Sequence, residues 1–116
     1  MDSPASIPVL DRAEGMRRVG GDEKLFREMA ELFLADAPRL TQLISAAIAE
    51  RSPKGLRLAA HSLKGSASQI GASAVMTRAW FLEKMGKESN FHEAEHQLHL
   101  LKEELRQLAL ALHGAK

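Results

Sequence analysis

The chain has 116 residues, enough for one compact domain and too few for two of ordinary size. Its 45% apolar and 27% charged residues argue against a disordered or membrane-spanning chain, and the absence of cysteine removes any disulfide framework or thiolate metal site. A net charge of +1, from 16 basic and 15 acidic residues mixed along the sequence, leaves no broad field to draw it to nucleic acid or to a membrane.

With four Phe and one Trp, the core must come from Leu, Ala, Ile and Met, which is a helical composition. Residues 1–8 hold two prolines and no periodic pattern, so they read as a flexible lead-in, and they lack the basic start and apolar run of a signal peptide. A domain is expected over 9–116. Its first piece is a short amphipathic helix near 9–19, stopped by Gly20-Gly21. Asp22 can cap a long second helix with Leu25, Met29, Leu32, Phe33, Leu40, Leu43, Ile44 and Ile48 at three- and four-residue spacing. Pro38 inside it removes one backbone donor and predicts a kink rather than a split.

Ser52 before Pro53 is a restart signal, because a serine can accept at the N-cap and proline has the φ wanted at the first helical position. The third helix carries Leu56, Ala59, Ala60, Leu63, Ala67 and Ile70 on one side, with Gly71 placed to end it. Ser73 can cap a fourth helix through Val75, Ala79, Leu82 and Met85. Asn90 with Glu93 makes a capping-box start for a fifth, with Phe91, Ala94, Leu98, Leu101, Leu105, Leu108 and Leu112. No strand pattern appears. Four amphipathic helices joined by short loops predict an all-α fold, an antiparallel four-helix bundle with an additional short N-terminal helix. Such a bundle buries its core without a partner, so a monomer is expected.

At about 100° per residue, Arg57, His61, Lys64, Gly65 and Ser68 share one side of the third helix, away from its apolar stripe. A lone surface histidine carries no chemistry by itself, but these neighbours are a set. Lys64 puts a mobile ammonium one turn from the imidazole, where it can neutralise an arriving phosphoryl group. Gly65 costs a helix interior about 1 kcal/mol relative to Ala, and the absence of a side chain there would let a second protein approach the ring.

The run Ala60-His61-Ser62-Leu63-Lys64-Gly65-Ser66-Ala67, followed by Ile70-Gly71-Ala72, resembles the signature of histidine-containing phosphotransfer domains of two-component phosphorelays. The likeness extends from Gly21-Asp22 through Phe33-Leu34-Ala35-Asp36-Ala37-Pro38 to Leu82-Glu83. It implies a cytoplasmic phosphorelay intermediate without an ATP site, which takes a phosphoryl group from a receiver-domain aspartate and gives it to another receiver. Residue by residue it implies His61 as phosphoacceptor, Lys64 as the cation that approaches the phosphate, and Gly65 as the small residue that admits the receiver. Glu83 falls where similar domains often place Glu or Gln, able to accept from Nδ1–H of the histidine and leave Nε2 as nucleophile. A solvated helix carboxylate is the plain alternative for Glu83, which flanks the apolar side beside Met76 and Lys87.

The likeness further implies partners among response-regulator receivers or a hybrid sensor kinase, with no cofactor of its own and Mg²⁺ in the receiver's acidic pocket. It points to the start of the second helix as the contact surface, with Leu25 and Met29 as candidates unless they are core; Arg57 and Ser68 flank the histidine and join the partner-facing set.

Three other readings compete. His92-Glu93-Ala94-Glu95-His96 matches the H-E-x-x-H zinc pattern, and His99 extends the row, but no strand follows to bind a peptide and the histidines fall opposite the apolar stripe. Adventitious metal binding at His92, His96 and His99 would fit, catalysis would not. A dimerising phosphoacceptor domain of a sensor kinase usually has an acidic residue and later a proline after its histidine, where this chain has Ser62, Leu63, Lys64 and Gly65. A helical interaction module without phosphotransfer would leave Lys64 and Gly65 unexplained.

Overall fold

The computed structural model describes residues 7–113; residues 1–6 of the expected lead-in, and 114–116, lie outside the described residues. Within them the chain forms α1 (Arg12–Arg18), α2 (Glu23–Ala49), α3 (Pro53–Gln69), α4 (Ser73–Lys87) and α5 (Ala94–His113), and no strand.

Most helix ends follow their local chemistry. Asp22 accepts from the Leu25 amide at 3.0 Å and caps α2, while Ser52 accepts from the Gly55 amide at 3.0 Å and Pro53 opens α3. Gly71 leaves α3 at φ +74°, a left-handed conformation that suits glycine. A Cβ there would also collide with the Asp11 carbonyl oxygen, because the segment leading into α1 crosses this turn. Asp11 N–H donates to Gly71 O at 2.7 Å, and Pro8 O accepts from the Ala74 amide at 3.0 Å.

Two expected caps are corrected. Ser73 is the first residue of α4 rather than its cap; Ala72 holds the N-cap position without a side-chain bond, and the Ser73 hydroxyl turns back to Gly71 O at 3.4 Å. Asn90 and Glu93 form no capping box: Asn90 Oδ1 accepts from the His92 amide two residues on, Glu93 sits at φ +70°, and α5 begins only at Ala94. A residue in left-handed conformation cannot serve as the third position of a helix. Pro38 lies within α2, which continues through it as one helix.

The apolar stripe of α2 is Phe26, Ala30, Phe33, Ala37, Leu40, Ile44, Ala47 and Ile48, all buried. Leu25, Leu32 and Leu43, expected in that stripe, are exposed, and Met29 is half-buried. The leucines run parallel to the true stripe but one residue earlier, about 100° around the helix. In α3 the expected stripe, Leu56, Ala59, Ala60, Leu63, Ala67 and Ile70, is buried throughout.

Helices α2 to α5 close a ring in which α3 packs on α2 and α4, and α5 on α4 and α2. Short turns between consecutive members make neighbours antiparallel. α3 and α4 approach one another closely: a Cβ on Gly86 would fall 2.6 Å from the Arg57 amide nitrogen and 2.9 Å from Pro53 O. The end of α4 therefore lies against the beginning of α3 with no side chain between, and this sets the depth at which α4 meets the outer side of α3. Across the other side of α4, Arg78 joins it to α5 through paired contacts with Glu104 at 2.7 and 3.1 Å and one with Gln97 at 2.8 Å.

Candidate functional site

His61 stands midway along α3 with 64% of its side chain exposed, as its position opposite Ala60 and Leu63 requires. One oxygen of Glu83, from the facing α4, meets its Nδ1 at 3.0 Å. Glu83 is the buried charged residue among the described ones, with 8% of its side chain exposed. Its second oxygen lies 2.7 Å from the Lys64 ammonium, an ion contact close in distance though poorly directed for a hydrogen bond. Lys87, one turn beyond Glu83 on α4, approaches the first oxygen at 3.9 Å.

Burial alone would raise the Glu83 pKa, but the contacts with Lys64 and His61 outweigh it and hold the carboxyl below its ordinary value of 4.5. Glu83 is therefore ionised at neutral pH. An ionised carboxylate can only accept, so the proton of a neutral His61 belongs on Nδ1 and the lone pair on Nε2. That is the tautomer needed for attack from the exposed side of the ring.

Gly65 has no atom within 4 Å of where a Cβ would stand, so nothing inside the molecule requires glycine here. Ser68 is half-buried and folds its hydroxyl onto Gly65 O at 3.3 Å. Arg57 is half-buried one turn before His61, its backbone covered by Gly86. The five residues expected on one side of α3 are thus brought together, and Glu83 joins them in place of standing in solvent.

On the neighbouring face, Leu25 is 40% exposed and Leu32 is 70% exposed, while Met29 is half-buried. Met29 and Leu32 line a groove between α2 and α3 with Phe33, Asp36, Ser66 and Gln69. Leu32 is a surface residue that the sequence spacing assigns to the core. Its signal was present: the continuous spacing of Phe26, Ala30, Phe33 and Ala37 leaves Leu32 outside. Trp80 and Phe81, which the sequence pattern does not single out, stack edge to face at 5.0 Å on the outside of α4, and Trp80 shares a shallow groove with Lys64, Met76 and Thr77.

The H-E-x-x-H row does not form. His92 precedes α5 and Glu93 turns the backbone at φ +70°, so His92 and His96 are not neighbours one turn apart on a helix. His92 lies by Glu93 at 3.7 Å. Among the described residues no group of three His, Cys, Asp or Glu side chains could hold a metal ion, and no helix is long and apolar enough to cross a membrane.

The family model of the Hpt domain matches residues 28–111, a span from the second turn of α2 to near the end of α5 that includes His61, Lys64, Gly65 and Glu83. Comparison with curated protein sequences finds no match. Among solved structures, the chain is similar to the crystal structure of histidine-containing phosphotransfer protein B (HptB) from Pseudomonas aeruginosa PAO1, with a TM-score of 0.85 over 95% of this chain and 96% of that one. At 21% identity that likeness is one of fold. The family match and the helical bundle agree, and the chain belongs to the Hpt domain family, the histidine phosphotransfer intermediates of phosphorelays.

Proposed function

We propose that His61 is the phosphoacceptor, that Lys64 and Glu83 serve it, and that its partners are response-regulator receiver domains. The observation that carries this is the contact of His61 Nδ1 with a buried, ionised Glu83 at 3.0 Å on an otherwise exposed imidazole. A surface histidine without a task needs no buried carboxylate to orient it.

In the forward step Nε2 attacks the phosphorus of a receiver's aspartyl phosphate. The N–P bond forms as the P–O bond breaks, and the aspartate leaves as carboxylate with the electron pair. Positive charge grows on the ring, and Glu83 faces it through Nδ1–H. The Lys64 ammonium balances the phosphoryl oxygens. The reverse sequence delivers the group to a second receiver. No nucleotide enters either direction, so the chain carries phosphate without making phosphohistidine from ATP.

The Mg²⁺ that assists transfer is placed in the receiver's acidic pocket, as the likeness to the family implies. Gly65 gives the receiver backbone room beside the ring, and exposed Leu25 and Leu32, with Met29 at the groove edge, offer apolar contact. Arg57 and Ser68 lie at the margin of the same surface. In this reading the chain works as a monomer in the cytoplasm, where its receivers are. Incubation with a receiver charged by acetyl phosphate tests it: acid-labile label on the wild type and none on His61→Gln is the expected result. Label retained by His61→Gln would move the phosphoacceptor to another residue, and none on the wild type with any receiver of the source organism would leave a helical interaction module instead.

A further inference from the structure

We propose that Lys87 is a second positioning cation of this site, which holds the charge of Glu83 when Lys64 turns from the carboxylate to the phosphoryl group; the inference rests on the reading of His61 as phosphoacceptor. Lys64 has two demands on it. In the structure its ammonium lies 2.7 Å from Glu83 Oε1, an oxygen buried from solvent with no hydrogen bond of its own. A phosphoryl group on His61 Nε2 brings two further negative charges to the same neighbourhood. Lys64 cannot neutralise those oxygens and remain in full contact with Glu83, and a buried carboxylate left with the imidazole alone is costly.

Lys87 is where the substitute is needed. α3 and α4 run antiparallel, as the approach of Gly86 to Pro53 and Arg57 shows, so Lys64 and Lys87 reach Glu83 from opposite ends. Lys87 Nζ stands 3.9 Å from Oε2, the oxygen that also takes His61 Nδ1. Its side chain is 61% exposed and free to travel the roughly 1 Å that separates this distance from a charge-assisted hydrogen bond. Lys84, by contrast, lies over the Trp80 ring at 5.5 Å and makes no contact with Glu83, although it belongs to the same last turn of α4.

Phosphorylation by potassium phosphoramidate removes the receiver from the test. Nε2 displaces ammonia from phosphorus, the N–P bond to the imidazole forming as the donor's P–N bond breaks. The full-length wild type, Lys87→Met, Lys87→Arg, Lys84→Met and His61→Gln are compared at low and at high salt. The expected result is labelling about 3- to 5-fold slower in Lys87→Met at low salt, the upper size of an exposed charge contact. Lys87→Arg should restore the rate, Lys84→Met should stay within twofold of the wild type, and the Lys87→Met deficit should fade at about 1 M salt, where charges are screened within roughly 3 Å. A packing role for Lys87 would not respond to salt. Lys87→Met equal to the wild type, a deficit shared by Lys84→Met, or one that arginine does not restore overturns the inference about Lys87. Label on His61→Gln overturns the phosphoacceptor reading instead.

Discussion

Gly86 on α4 and Arg57 on α3 touch backbone to backbone, so closely that a methyl group on Gly86 would stand 2.6 Å from the Arg57 nitrogen. Glu83 is one turn away on the same helix, and the 3.0 Å contact with His61 depends on α4 lying at that depth. Gly86→Ala is expected to destabilise the bundle by about 1–3 kcal/mol, the usual penalty for overpacking a close contact. It should also slow phosphorylation of His61, because pushing α4 outward draws the carboxylate from the ring. Urea unfolding together with a labelling time course checks both effects; a loss of stability with unchanged labelling would separate the helix contact from the site.

Glu83→Ala should slow transfer about 10- to 100-fold, the scale of losing orientation at a reacting group, with far-UV circular dichroism unchanged. The pH dependence of stability has a definite sign. The folded pKa of Glu83 lies below its unfolded value of 4.5, so the stability contributed by its ionised form is complete well above that pH and is lost as pH falls through the folded value. Urea midpoints of the wild type and Glu83→Gln should therefore differ most near neutrality and converge as pH falls from 4.5 through the lower folded value. A difference that grows on acidification would contradict an ionised Glu83.

At Gly65, stability and transfer should move in opposite directions. The open space around it means that Gly65→Ala gains helix propensity without a clash, about 1 kcal/mol and a few degrees in melting temperature. Gly65→Leu should leave labelling by phosphoramidate within twofold of the wild type yet slow transfer from a charged receiver about 10- to 100-fold, because only the protein donor must approach the ring. Equal slowing with both donors would assign glycine a role inside the site.

Leu32→Glu should leave the melting temperature unchanged within about a degree, since the residue is 70% exposed, and weaken receiver binding by about tenfold or more. Titration of a receiver into labelled protein measures this, with Leu43→Glu as a comparison. Leu43 is also exposed on α2 but lies about three turns further along the helix, beside Leu58 and Ser62 in a different groove. Destabilisation by Leu32→Glu would return it to the core where the periodicity first placed it.

What could be read from the sequence followed how local the determining physics was. Ser52 with Pro53, and Asp22 before α2, act within three residues, and both caps are found where their side chains predict them. Asn90 and Glu93 carry the same local pattern but not the same outcome, because the chain must turn between α4 and α5 and takes Glu93 into a left-handed conformation. In α2 a leucine-weighted reading favoured Leu25, Leu32 and Leu43 over the smaller Ala30, Ala37 and Ala47, although the alanines admit the close packing of neighbouring helices. The outward side of His61 followed from helix geometry alone. Its bond to Glu83 did not, since that distance comes from two helices joined across 22 residues and seated together by a glycine at the far end of one of them. Lys87 gave no sign beyond its spacing from Glu83 and acquired meaning only once the carboxylate was found buried.

The exposed setting of His61 on the outside of a helix has a kinetic consequence. In the proposed role of phosphoacceptor, an exposed imidazole on the outside of a helix has one berth, and whichever receiver occupies it shuts out every other. Donor and recipient must then take turns, so an excess of unphosphorylated receiver competes with the incoming phosphorylated one. Flux through the domain should rise with receiver concentration, pass through a maximum and fall, and the direction of traffic is set by the relative abundance and residence time of its partners.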